Sequence, residues 1–188
     1  MTDDAVYLVR HGETALNADG RLRGLADPDL TAEGLREAES LAFVLASAGR
    51  SIIVSSPLRR AVHTASIIAE RGQTEHHVDV GFNDRDYGRW TGQPKADVIA
   101  QWGTVDAAPG VEPMSAVVAR AGPALDSWAE QAHADDRTLI VVTHDAVIRP
   151  LLSDIAPTLP SPDVPTGSYQ LLRRHQERWD VERTDQVP

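Results

Sequence analysis

Three places in this chain put cations and imidazoles directly after a run of β-forming residues. "VYLV" leads into Arg10 and His11, "SIIVSSPL" into Arg59 and Arg60, and "TLIVVT" into His144. The chain has only seven histidines in 188 residues, so two of them at strand ends form a pointed pattern. In open α/β sheets, ligands settle in the crevice beyond the carboxyl ends of the strands. Arg59 and Arg60 fall in the first turn of an expected helix, where unpaired backbone N–H groups and the helix dipole already favour an anion. Guanidinium groups grip phosphate oxygens bidentately, and imidazole attacks phosphorus readily. Together these residues suit a phosphoryl group.

The elements that would position them are legible as periodicity. "AVYLV" (5–9), "SIIVSS" (51–56) and "TLIVVT" (138–143) are short apolar runs rich in β-branched residues, the pattern of strands buried on both faces of a parallel sheet. A helix is expected from Thr31 to Gly49, with Thr31 capping its start. Another is expected after Ser56, with Ser56 as N-cap, Pro57 in its first turn and Gly72 as its stop. A third runs from about Pro113 to Ala134, and a fourth should follow His144, kinked or delayed by Pro150. The tail "SYQLLRRHQERWDVER" reads as two strands with a polar connection, an antiparallel edge hairpin. Segments 83–111 and 155–167, rich in Gly, Pro and Asp, read as loops.

Composition narrows the function. The length and 41% hydrophobic content fit one core, so residues 1–188 are read as a single domain. A net charge of −10 argues against nucleic acid and anionic membranes as partners. No apolar run reaches membrane-spanning length, the acidic start "MTDDA" does not read as a secretory signal, and a cytoplasmic location is expected. The absence of cysteine removes disulfides, thiolate nucleophiles and thiolate metal sites. Of the 18 basic residues only Lys95 is lysine, and arginine is the side chain suited to phosphate. His63, His76, His77, His133 and His175 lack partners at metal-ligand spacing and read as structural or surface residues, so no metal or cofactor is expected.

"LVRHGET", "SSPLRRAVHTA", "NDRDYGRWTG" and "VTHDAVIR", in this order, resemble the histidine phosphatase superfamily, the phosphoglycerate mutase-like proteins, over residues 6–152. The resemblance implies a three-layer α/β/α sandwich with a mainly parallel sheet. It implies His11 as a nucleophile that forms a phosphohistidine, with Arg10, Arg60 and His144 binding the phosphoryl oxygens and Asn17 also contacting phosphate. Arg59 is then a solvated neighbour of the pocket arginine. The proton donor falls on Asp84, where most relatives carry glutamate, and Asp86 is the nearest rival. Arg85 and Tyr87 match substrate-binding positions of the mutases, and Trp90 adjoins that loop.

The resulting expectation is a metal-independent phosphomonoesterase acting on a small phosphorylated metabolite. The alternatives are a phosphoglycerate-type mutase and a phospho-ligand binding protein with little turnover. A mutase must shield its phosphoenzyme from water, and only the 20 residues from Gln93 to Glu112 follow Gly92 before the next expected helix. Specificity is expected from the loops at 17–30, 83–111 and 155–167, and a homo-oligomer is allowed.

Overall fold

The computed structural model describes residues 4–175 and 178–188. Six strands form one sheet: β1 (Asp4–Arg10), β2 (Ser51–Ser55), β3 (His76–Val78), β4 (Thr138–Thr143), β5 (Tyr169–His175) and β6 (Arg178–Gln186). Their order is β3-β2-β4-β1-β5-β6. The first four run parallel, and β5 and β6 add the antiparallel edge pair. Gln176 and Glu177, the polar connection expected between them, lie outside the described residues.

The central strands are apolar through their middles because both faces are covered. Val6, Leu8, Ile52, Val54, Leu139 and Val141 pack on one face against α5 (Met114–Ala134) and α6 (Asp145–Ile155). Val9, Ile53, Ile140 and Val142 point the other way, onto α2 (Ala32–Leu45) and α3 (Arg59–Gly72). Side chains alternate across a strand, so each apolar run serves two helical layers. This is the three-layer α/β/α arrangement with a mainly parallel sheet.

Several boundaries differ from the sequence reading. Thr31 does cap α2, accepting from the Gly34 N–H at 3.1 Å, but α2 stops at Leu45 and a 3₁₀ turn carries the chain to Gly49. Ser56 is not the cap of α3. Leu58 holds that position, and the Ser56 hydroxyl accepts from the Leu58 N–H at 3.3 Å instead. The α3 helix runs through Gly72, with Gln73 in the left-handed conformation after it. Pro150 neither delays nor divides α6, which starts directly after His144 and contains it. The missing N–H affects one bond in the first turns, while the ring is buried against the core. Segment 83–111 is not all loop. It contains a 3₁₀ turn at Gly88–Trp90 and α4 (Lys95–Trp102), in which only Val98 is buried, too little apolar patterning to announce a helix. A four-residue helix, α1 (Ala15–Ala18), and the three-residue β3 also lacked a readable pattern. No helix among the described residues is long and apolar enough to cross a membrane.

Candidate active site

The parallel register brings the ends of β1 and β4 side by side, with Arg10 opposite Thr143. The next residues, His11 and His144, therefore leave the sheet together, and their rings lie 5.1 Å apart between centroids. Backbone bonds fix this turn: Arg10 N–H donates to the Ser168 carbonyl and His11 N–H to the Thr143 carbonyl, at 2.9 and 3.0 Å. The Thr143 hydroxyl donates to the Phe82 carbonyl at 2.8 Å, which ties the strand end to the segment carrying Asp84. Gly12 is required by space. A Cβ there would stand 2.2 Å from the Gly34 carbonyl oxygen, where the turn meets the start of α2.

Arg60 occupies the centre and is fully buried. Its Nε donates to His11 Nε2 at 3.2 Å, and its Nη2 to Asp84 Oδ2 at 2.8 Å and the Gly24 carbonyl at 2.9 Å. Its Nη1 donates to the Ala26 carbonyl at 2.6 Å. One guanidinium thus links two of the groups singled out in the sequence. His11 Nδ1 lies 2.6 Å from the Gly12 carbonyl, which accepts from the protonated Nδ1 and leaves Nε2 as the unprotonated nitrogen that accepts from Arg60 Nε. Burial, then the positive charges of Arg60 and Arg10, hold the His11 pKa well below the usual imidazole value, so the ring is neutral near pH 7. His144 is depressed by burial, Arg60 and His11 in the same way. Burial pushes the Asp84 carboxyl up, and the Arg60 charge opposes that without cancelling it.

The sequence-predicted residues separate into three groups. Arg10, His11, Arg60, Asp84 and His144 converge, all buried, with Asp84 Oδ2 3.7 Å from His144 Nδ1. Arg85 and Tyr87 line an adjoining cavity of about 290 Å³. There Arg85 donates to the Glu112 carbonyl and to Asp106, both at 2.6 Å, and its guanidinium carbon sits 5.8 Å from the Tyr87 ring centre. Asn17 uses its side-chain oxygen to accept from the Thr14 N–H and hydroxyl at 3.0 and 2.7 Å, closing the start of α1. Arg59 is exposed and paired with Asp29, as a solvated neighbour should be. Asp86 is exposed too, and its carboxylate caps the Gly88 N–H at 2.7 Å, away from the imidazoles.

Three further residues complete the site. Arg23 Nη2 donates to Asp145 Oδ1 at 2.6 Å, and the same oxygen lies 3.8 Å from Arg10 Nη2. Arg120 donates to the carbonyls of Gly81, Asn83 and Asp84, and to Glu112, holding the Asp84 segment from behind. The proximity of Asp145 to His144 was the one usable signal; Arg23 and Arg120 sit among seventeen arginines with nothing local to mark them. Among the described residues, four of the seven buried side-chain nitrogens without a hydrogen-bond partner belong to this pocket: Arg10 Nε, Arg23 Nε and both ring nitrogens of His144. Two guanidinium N–H groups and the one N–H of the neutral His144 ring are thus unpaired donors of the kind an anion would satisfy.

Residues 6–186 match the sequence profile of the histidine phosphatase superfamily, branch 1. The chain belongs to this superfamily. Among its relatives, a 2,3-bisphosphoglycerate-dependent phosphoglycerate mutase of Methylocella silvestris is 32% identical, with 88% of this chain and 89% of that protein covered. A Bacillus subtilis protein named as the uncharacterized phosphatase PhoE is also 32% identical, over 94% of this chain and 92% of its own length. A mycobacterial glucosyl-3-phosphoglycerate phosphatase, solved with VO3, superposes with a TM-score of 0.85 at 26% identity, covering 97% of this chain and 99% of that one. With some other superfamily members the match spans about half of their length, 52% for the mutase of Afipia carboxidovorans. The superfamily relatives thus include both mutases and phosphatases.

Proposed function

We propose that this histidine phosphatase superfamily member is a phosphomonoesterase for a small phosphorylated metabolite, working through a phosphohistidine on His11. The observation that carries the reading is the single guanidinium of Arg60 joining His11 Nε2 to the Asp84 carboxylate, beside unpaired donors of Arg10 and His144. His11 Nε2 attacks phosphorus while Arg10, Arg60 and His144 hold the equatorial oxygens, charge stabilisation that the transition state needs most. The phosphorus–oxygen ester bond breaks, and Asp84 gives its proton to the departing alkoxide. Burial already raises the Asp84 pKa, and the incoming phosphate dianion raises it further as a like charge. Water then attacks the phosphohistidine, Asp84 accepts the proton, and inorganic phosphate leaves.

The mutase reading has its own support in the Arg85–Tyr87 cavity and in the mutases among the relatives. Hydrolysis is favoured because a cleft of about 520 Å³ with an exposed rim at Asp86, Gly110 and Pro113 extends inward to Asp84, the residue that would activate the attacking water. The test supplies 3-phosphoglycerate with a trace of 2,3-bisphosphoglycerate, and separately a panel of phosphomonoesters, followed by phosphorus NMR. Inorganic phosphate from a panel member with little 2-phosphoglycerate is expected. Rapid isomerisation with negligible phosphate release would replace the hydrolase with the mutase.

A further inference from the structure

The phosphoryl pocket holds more positive charge than a phosphate dianion needs, and it also holds a carboxylate of its own. Arg10, Arg23 and Arg60 surround the two imidazoles, and Asp145 stands between the first two. Asp145 Oδ1 accepts from Arg23 Nη2 at 2.6 Å and lies 3.8 Å from Arg10 Nη2. The remaining donors of Arg10 and Arg23 are disposed alike. Arg10 Nη1 goes to the Val164 carbonyl at 2.6 Å, Arg23 Nη1 reaches the Arg21 carbonyl at 3.4 Å, and the Nε of each is buried without a partner. Both guanidiniums are therefore steadied at their outer nitrogens and keep one donor uncommitted. Asp145 is fixed in turn as the first residue of α6, directly after His144.

We propose that Arg23 is a third cation of the phosphoryl site and that Asp145 is its counter-charge, setting how tightly inorganic phosphate is retained after hydrolysis. The inference rests on the phosphatase reading above and deepens it. Three guanidiniums facing one dianion, in a site with little water to screen them, would hold the product strongly. A fixed carboxylate shared by two of them weakens that grip while keeping their orientation. Arg10 and Arg23 hold the Asp145 pKa well below the usual carboxylate range, outweighing burial, so the counter-charge is present at neutral pH. Arg23 is thus a binding residue for the phosphoryl group, and Asp145 a positioning residue that acts through the arginines.

The two halves of the pair carry opposite signs, which a merely structural ion pair would not. Inorganic phosphate is the probe, measured by calorimetry and as a competitive inhibitor of aryl phosphate hydrolysis by the full chain. Arg23→Gln should weaken phosphate binding roughly tenfold or more, the scale of one charge-assisted hydrogen bond. Asp145→Asn should tighten it several-fold and lower kcat as product release slows. The double variant Arg23→Gln/Asp145→Asn, which leaves neither charge without its partner, should lie between the two, and circular dichroism checks the folding of all three. If both single variants weaken phosphate together, or if Arg23→Gln leaves it unchanged, the inference is wrong. Arg60→Ala separates the two levels of the account. Should it abolish phosphate binding while Arg23→Gln does nothing, only the role of Arg23 and Asp145 falls; should neither affect phosphate, the pocket itself has been misread.

Discussion

The floor of the pocket and its wall are built by different means. The floor, Arg10, His11 and His144, comes from the ends of two hydrogen-bonded parallel strands, so backbone register alone sets where these side chains begin. The wall, residues 81–87 with Arg23, is irregular chain held by side chains, chiefly Arg120 on three consecutive-region carbonyls and Arg60 on those of Gly24 and Ala26. A floor fixed by the sheet tolerates little change, whereas a wall held by a few guanidiniums can be retuned one contact at a time. On the proposed reading the nucleophile sits on the first and the proton donor on the second.

Substitutions at the two regions should differ in size and in kind. The largest effect belongs to the floor: His11→Ala should cut turnover by about five orders of magnitude, the scale of deleting a covalent nucleophile, with an unchanged circular dichroism spectrum. Retention of even a hundredth of the activity would remove His11 from that role. On the wall, Asp84→Asn should cost ~10²–10⁴ with alkyl phosphates and far less with aryl phosphates, whose leaving groups depart without a proton. Asp86→Asn serves as the control, since its exposed carboxylate only caps Gly88 and should leave both substrates almost unaffected. Equal losses on both substrates for Asp84→Asn would indicate positioning in place of proton donation.

A smaller effect should follow from loosening the wall without touching the chemistry. Arg120→Met removes the donors to the Gly81, Asn83 and Asp84 carbonyls, and a displacement of the Asp84 segment by ~1 Å should cost on the order of 10- to 100-fold in kcat. The loss should again be greater for alkyl than for aryl phosphates, because it acts through Asp84. A uniform loss on the two classes would place the wall's influence elsewhere.

The smallest effect is in pH dependence. His11 and His144 have folded pKa values below the usual imidazole value of about 6.5, so their linkage stabilises the fold fully above that pH. As pH falls below it, the unfolded chain takes up protons first and stability declines, with part of the loss offset by Asp84, whose raised pKa acts in the opposite sense. The acid limb of kcat/KM should accordingly lie below pH 6.5, where His11 finally protonates. A limb above pH 6.5, or a melting temperature that rises on acidification through this range, would contradict the direction of these shifts.

The same division explains what the sequence disclosed. Apolar runs of the parallel strands and the residues at their ends are visible because burial on both faces leaves a continuous pattern, and His11 and His144 stand out against it. The first turn of α3 marked Arg59 and Arg60 alike and the motif resemblance singled out Arg60, although the cap itself was misassigned to Ser56. The wall left less trace. Nothing near Arg23 marks it over Arg21, because its role depends on Asp145, 122 residues away. The α4 helix was hidden for a related reason, since its single buried residue gives no period to read. Asp84 is preferred over Asp86 only through the motif resemblance, and the fold separates them: Asp84 is buried against Arg60, whereas Asp86 is exposed.

The central claim is that the phosphoryl group passes through His11 Nε2. A rapid-quench experiment with a phosphomonoester labelled on phosphorus, followed by digestion and peptide mapping, addresses it directly. The account predicts a transient label, acid-labile and base-stable, on the peptide containing His11, and no such label in the His11→Ala variant. Label on His144 instead, or turnover with no labelled protein at any time in a single-turnover reaction, would contradict it.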